Sequence, residues 1–293
     1  MRFLLFSAIF SLIPTSTPTD HSIPYSDQLA RTKLIYTAIG SYADAPQKCL
    51  DKVFDGAQLR RRVTVVCDET ANDTCSGYTA VSRHDRAILV VFRGTTSDSQ
   101  LLLEAYETVV ENHASWPAGG VVSQYFYDGF FKLWNNGMKD DFKTLVAKYP
   151  GYQVWITGHS LGGAMASLAA SFIAHTSLFP SNAILLVTFG QPRTGNTTYA
   201  AAVDREVRNA FRVTHSHDPI PHLPGKGHHG YWHHKSEVFY NEKMTGWEIC
   251  EEDEGSKCSD GQATDTNFQD HLHYFDLDIL TLGYSDCQNT TSS

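Results

Sequence analysis

"VWITGHSLGGAMASLAA", residues 154–170, decides how the rest of the chain is read. Its opening, preceded by Tyr152 and Gln153, is a short apolar run suited to a buried strand, and residues 161–175 continue as a helix of small and apolar residues. Between the two stands Gly158-x-Ser160-x-Gly162. A serine on so tight a strand-to-helix turn is presented for nucleophilic attack. Side chains two residues to either side would collide there, which explains the glycines. The helix starts directly behind the serine, so its first N–H groups lack intrahelical partners and face any negative charge that develops. The Leu161 N–H is thus a natural oxyanion donor. A glycine-rich turn with an incidental serine would use the same letters, but the strand–turn–helix context favours catalysis.

The surrounding pattern is consistent with this. Residues 26–43 read as a helix, with Leu29, Leu34, Ile35, Ala38 and Ile39 near a 3.6 period. Residues 61–67, 77–82 and 87–94 read as strands, the last two joined as a hairpin by polar "RHDR". A helix over 142–150 ends at Pro150, and further strands are expected at 152–158, 183–190 and 209–215. Strands alternating with helices predict an α/β fold, a mainly parallel central sheet flanked by helices, in a single domain.

The 293 residues carry 23 Lys and Arg against 32 Asp and Glu, a formal charge of −9. An acidic chain without a basic cluster is a poor nucleic-acid binder. Residues 1–20 have the form of a signal peptide: Arg2, an apolar run over 3–13, and small polar residues at 15–17. No later stretch is apolar enough to be transmembrane, which leaves residues 21–293 as one secreted domain. Of six cysteines, Cys67–Cys75 and Cys250–Cys258 each bracket a polar loop, leaving Cys49–Cys287 as a long tie. Asn72, Asn196 and Asn289 are candidate glycosylation sites.

The partners of a serine on such a turn follow it in the order acid, then base. Asp218 lies just past the strand "FRVTH" and before "PIP", whose prolines stop sheet pairing. Asp204 falls in a helix, and Asp253 and Asp260 in a polar, cysteine-bracketed loop. "DHLHYF" offers two bases, His271 and His273, which the residues alone do not separate.

"VFRGTTS", "TGHSLGGAMA", "TFGQPRTGN", "FRVTHSHDPIPHLP" and "DHLHYF" together resemble the class 3 lipase family, the fungal-type triacylglycerol lipases, and most nearly its secreted nematode branch. The resemblance covers roughly residues 36 to 287. It implies an α/β-hydrolase fold and ester hydrolysis without metal or other cofactor, on a lipid ester at an oil–water or membrane interface. Carried over by position, the nucleophile is Ser160 and the acid Asp218. The base is the histidine three residues before the tyrosine of "HLHYF", His271. Thr95, directly after "FRG", is the second oxyanion donor and offers both N–H and hydroxyl. The bridges Cys49–Cys287 and Cys67–Cys75 suit the family; Cys250–Cys258 comes from spacing alone. The family places a lid where residues 97–110 fall, with Leu101, Leu102, Leu103 and Tyr106 as candidate lipid contacts.

Seven of the 14 histidines fall within residues 213–235. A metal site needs three or four ligands converging at fixed spacing. Here Pro219, Pro221, Pro224 and Gly225 turn the chain repeatedly, so a polar surface loop is expected, with a few histidines bonding near the acid. The expected function is a secreted serine esterase acting on lipid esters, with phospholipase A1 and feruloyl esterase as variants within the enzyme class. The alternative, a secreted lipid-binding or interaction protein that has lost turnover, fits the fold. The full set of nucleophile, acid, base and oxyanion positions argues against it.

Overall fold

Parallel strands of apolar residues order the molecule. In the computed structural model, which describes residues 23–67, 74–95, 111–262 and 265–288, eight strands form one sheet whose spatial order follows the chain. They are β1 (Gln58–Val66), β2 (Thr74–Ser82), β3 (Ala87–Phe92), β4 (Gln153–His159), β5 (Ile184–Phe189), β6 (Ala210–His215), β7 (Glu237–Tyr240) and β8 (Trp247–Cys250). β3 through β7 run parallel; β1 and β2 at one edge and β8 at the other are antiparallel. The expected signal peptide, Asn72, Asn289 and the lid segment with Leu101, Leu102, Leu103 and Tyr106 lie outside the described residues.

The two-residue period of a strand splits its side chains between two cores. In β3, Ile88, Val90 and Phe92 face one core, while Ala87, Leu89 and Val91 face the other. Both faces are covered, as a parallel sheet requires. One core is closed by α2 (Gln124–Leu133), α3 (Lys139–Lys148), α4 (Leu161–His175) and α5 (Thr197–Glu206). The other is closed by the N-terminal helical run, α1 (Pro46–Val53) and α7 (Ile279–Tyr284). That N-terminal run is not the uniform α-helix its periodicity suggests: a π-helical turn, Ala30–Leu34, sits between α-helical Asp27–Leu29 and Ile35–Ile39.

Register brings the site together. Phe92 pairs with Gly158, His159 with Phe189, and Phe189 with Val213. The carboxyl ends of β3, β4, β5 and β6 therefore finish side by side, where open α/β sheets carry their sites. A short helix, α6 (Phe268–Leu272), and the hairpin strand His273–Tyr274 reach the same end from the C-terminal region.

Three disulfides join Cys49 to Cys287, Cys67 to Cys75 and Cys250 to Cys258. The first ties α1 to the turn after α7 across 238 residues, a closure worth about 5 kcal/mol in the chain-entropy account. The third brackets the loop from which Glu254 makes a bidentate pair with buried Arg193, at 2.7 and 2.8 Å. Asp260 adds a third contact to Arg193 at 3.3 Å from just past that bridge, in a short 3-10 turn (Ser259–Gln262).

Asp204, on α5, is half-buried and accepts the Lys235 N–H at 3.0 Å. Burial first, and the nearby Asp253 carboxylate second, push its carboxyl from 3.8 up to about 7. The folded state thus holds this proton more tightly than the unfolded chain, so stability falls as pH rises from near 4 to above 7. Asp204→Asn should match the wild-type thermal midpoint at pH 4 and exceed it at pH 8. A constant offset between the two proteins across that range would show that the carboxyl carries no such penalty.

Candidate active site

Ser160 links β4 to α4 at φ 57° and ψ −131°, a conformation that costs a non-glycine residue on the order of 1–3 kcal/mol. Its N–H donates to Phe189 O and its carbonyl accepts from the Gly163 N–H, both at 2.9 Å. The glycines are a steric necessity. A β-carbon on Gly158 would lie 2.3 Å from Gly162 O, and one on Gly162 would lie 2.3 Å from Phe92 O. Only a chain bare at both positions lets α4 rise so steeply from the sheet.

Asp218 follows β6 and is buried. Its Oδ1 accepts the Ile220 N–H at 2.8 Å, and its Oδ2 accepts from His271 Nδ1 at 2.9 Å and from Tyr274 Oη at 2.8 Å. Burial opposes its charge, but the neighbouring His271, the hydrogen bond to it, and the Ile220 and Tyr274 donors outweigh that. They hold the carboxyl below the usual carboxylate range. With Nδ1–H directed at a carboxylate, His271 presents Nε2 as a proton acceptor. Nε2 of His271 and Oγ of Ser160 are both buried, and neither has a hydrogen-bond partner among the described residues. The His271 ring lies 4.5 Å from that of His159, the residue before the serine. A hydroxyl, an imidazole and a carboxylate so arranged can carry out acyl transfer.

The other candidates are placed as follows. His273 is turned away from Asp218: its Nδ1 bonds Gln269 O at 2.9 Å and its side chain is half-exposed. Leu161 is the first residue of α4, where an N–H has no intrahelical acceptor. Thr95 follows Gly94, where a β-carbon would come within 3.0 Å of Ser160 Cβ, so the end of β3 abuts the serine turn. Asn196 caps α5, its Oδ1 accepting from Val121 and Tyr199 N–H groups, each at 3.1 Å. The histidine stretch differs from a simple surface loop. His215, His233 and His234 are buried, whereas His228 and His229 are exposed. His233 Nε2 donates to Pro221 O at 2.7 Å, and burial pushes His234 down to about 3. The chain folds back at this stretch to begin β7, which carries these rings inward. Among the described residues, no group of three or more His, Cys, Asp or Glu could hold a metal ion.

Comparison with known proteins agrees with this geometry. A family model described as Lipase (class 3) matches residues 89–228. A lipase of Caenorhabditis elegans is 35% identical over 298 residues, spanning 90% of this chain and 83% of its own. The chain belongs to the class 3 lipase family. A secreted mono- and diacylglycerol lipase of Gibberella zeae is 29% identical over 293 residues, 84% of this chain and 71% of its own. Among solved structures, a triacylglycerol lipase whose catalytic centre is formed by a serine protease triad superposes with a TM-score of 0.75. It is 25% identical, over 87% of this chain and 97% of that one. The lipase is therefore a carboxylic ester hydrolase with an α/β-hydrolase fold.

Sequence reasoning passed over two residues of this lipase's site. Tyr274 served only to fix the register of "HLHYF", yet its hydroxyl completes the shell of Asp218. Gly190, in "TFGQP", sits at φ 56°, and a β-carbon there would lie 2.8 Å from both Asp218 Oδ2 and His271 Nδ1. The one signal for it was a glycine ending a strand beside the serine strand. Gly190→Ala should wedge Asp218 and His271 apart and lower kcat on a soluble ester by about a hundredfold, since a misplacement of about 1 Å can cost that much. Steady-state kinetics on the folded variant checks this, and unchanged turnover would mean the site has slack at this point.

Proposed function

We propose that this lipase hydrolyses lipid esters of the acylglycerol type through Ser160 as nucleophile, His271 as base and Asp218 as the acid that orients it. One observation carries the reading. The two atoms that must exchange a proton, Ser160 Oγ and His271 Nε2, are buried and have no hydrogen-bond partner among the described residues, while the opposite edge of the imidazole is bound to a carboxylate. Most buried polar atoms are partnered, so a hydroxyl and an imidazole nitrogen left without partners beside a carboxylate-bound ring call for an explanation, and catalysis supplies one.

His271 Nε2 takes the Ser160 proton as Oγ attacks the ester carbonyl carbon. The tetrahedral oxyanion is met by the N–H groups of Leu161 and Thr95 and by the Thr95 hydroxyl. Collapse breaks the ester C–O bond; the leaving alcohol takes the proton from His271, and the acyl group stays on Ser160. Water then attacks with His271 again as base, releasing the fatty acid and restoring the serine. The signal-like N-terminus, the three disulfides and the kinship with a secreted fungal lipase support action outside the cell.

A fluorophosphonate should label Ser160 stoichiometrically. His271→Ala should lose several orders of magnitude in kcat, as removal of a triad member does, while His273→Ala stays within about tenfold of wild type. Loss on His273→Ala with survival of His271→Ala would overturn the assignment.

Leu101, Leu102 and Leu103 are assigned to the lipid-facing surface of a lid. Burying three leucines at a lipid surface, at about 25 cal/mol per Å², supplies a few kcal/mol toward an open state. Changing all three to serine should weaken hydrolysis of emulsified triglyceride and spare that of a soluble short-chain ester. A parallel fall of both activities and of the thermal midpoint would make the segment part of the core.

A further inference from the structure

The segment that carries the base has little structure of its own. α6 spans only Phe268–Leu272. The last carbonyls of a helix have no intrahelical donors, so something else must fix where this backbone stands. Two buried imidazoles outside the triad meet those carbonyls. His159 Nε2 is 2.8 Å from His271 O. His215 Nδ1 is 2.7 Å from His273 O and 3.0 Å from Asp270 O.

We infer that His159 and His215 are positioning residues for His271: by holding the carbonyl oxygens on and around the base, they fix where its ring stands between Ser160 and Asp218. This rests on the reading of His271 as the base.

The chemistry of the His159 ring supports the role. A carbonyl oxygen only accepts, so His159 carries its proton on Nε2, and its Nδ1 accepts from Tyr42 Oη at 2.9 Å. The ring is therefore pinned at both ends, between the N-terminal helical run and the base. It also lies 4.5 Å from the His271 ring, tilted 31°. Burial, and then proximity to His271, push its basicity down to about 3. His159 therefore adds no positive charge beside the imidazolium that forms on His271 in the transition state.

His215 ends β6, three residues before Asp218, and its Nε2 faces Glu242 O at 2.9 Å. The strand that delivers the acid thus also holds the base. The same two segments are joined by Asp270 Oδ2, which accepts the His217 N–H at 2.9 Å, and by the Asn267 N–H, which donates to His217 O at 2.8 Å.

Matched substitutions separate positioning from bulk packing, because an asparagine amide falls near Nδ1 of the histidine it replaces and a glutamine amide near Nε2. His159→Gln keeps a donor at His271 O and His159→Asn loses it. His215→Asn keeps donors at Asp270 O and His273 O, and His215→Gln loses them. On a soluble short-chain ester, His159→Asn and His215→Gln should lower kcat about 10- to 100-fold with KM nearly unchanged, as expected of a misplaced reacting group. Their partners, His159→Gln and His215→Asn, should recover most of that loss. Thermal midpoints are measured on all four variants, with His271→Ala alongside. If kcat follows the thermal midpoint rather than the position of the donor, or if all four variants turn over like wild type, the positioning role is wrong. An active His271→Ala would instead remove the base assignment itself. An inactive His271→Ala beside four unaffected variants would remove only the inference drawn here.

Discussion

The structure depends on a shortage of space at the end of β4. The chain must leave the sheet and enter α4 within a single residue. That is possible only because no β-carbon stands at Gly158 or Gly162, each of which lies against backbone. The strain falls on Ser160, the residue between them, which is held at positive φ with both its backbone groups bonded. The turn fixes more than the serine. Because α4 descends from it into one core, the neighbouring strands β3 and β5 end level with β4, and their carboxyl ends bring Gly94 against the serine turn and Gly190 against the Asp218–His271 pair.

Electrostatics in the site follow from burial. A carboxylate this deep is tolerable because three donors converge on it, from His271, Ile220 and Tyr274. The same burial keeps His159 and His234 neutral, so that they serve as plain hydrogen-bonding groups and not as charges. The abundance of histidine near the acid thus has an explanation without metal. A neutral imidazole can donate at one edge and accept at the other, which suits a buried place where loop carbonyls need donors and a cation would be costly.

How much of this was legible in the sequence depended on range. Six of the eight strands were readable, the buried ones because each is an apolar run, and the hairpin because a polar turn interrupts two such runs; β7 and β8, short and following the proline-broken histidine stretch, were not expected. The serine turn was readable because its constraint is local, written in glycines two residues away. Asp218 was singled out by its place after a strand. His271 and His273 were not separable by pattern, since what distinguishes them is contact with Asp218, 53 residues distant in the chain. Resemblance to a family chose between them, and the geometry sets His271 against the carboxylate and turns His273 outward. Tyr274 and the buried rings of His159 and His215 meet this region through such distant contacts, so no nearby residue announced them, and Gly190 left only the signal of a glycine ending a strand. The π-helical turn near the N-terminus was equally silent, because a locally widened helix keeps its apolar face where a regular one would.

The bridge between Cys49 and Cys287 encloses all eight strands of the sheet and every residue of the proposed triad. Topologically residues 49–287 form a covalent ring. A protease that cuts once within an exposed stretch such as residues 225–230 opens the ring but releases no fragment. The two pieces stay tethered through the bridge. After such a cut Ser160 and Asp218 stay on one piece and His271 on the other, joined by the bridge, and only a second cut can release a fragment that carries one of them.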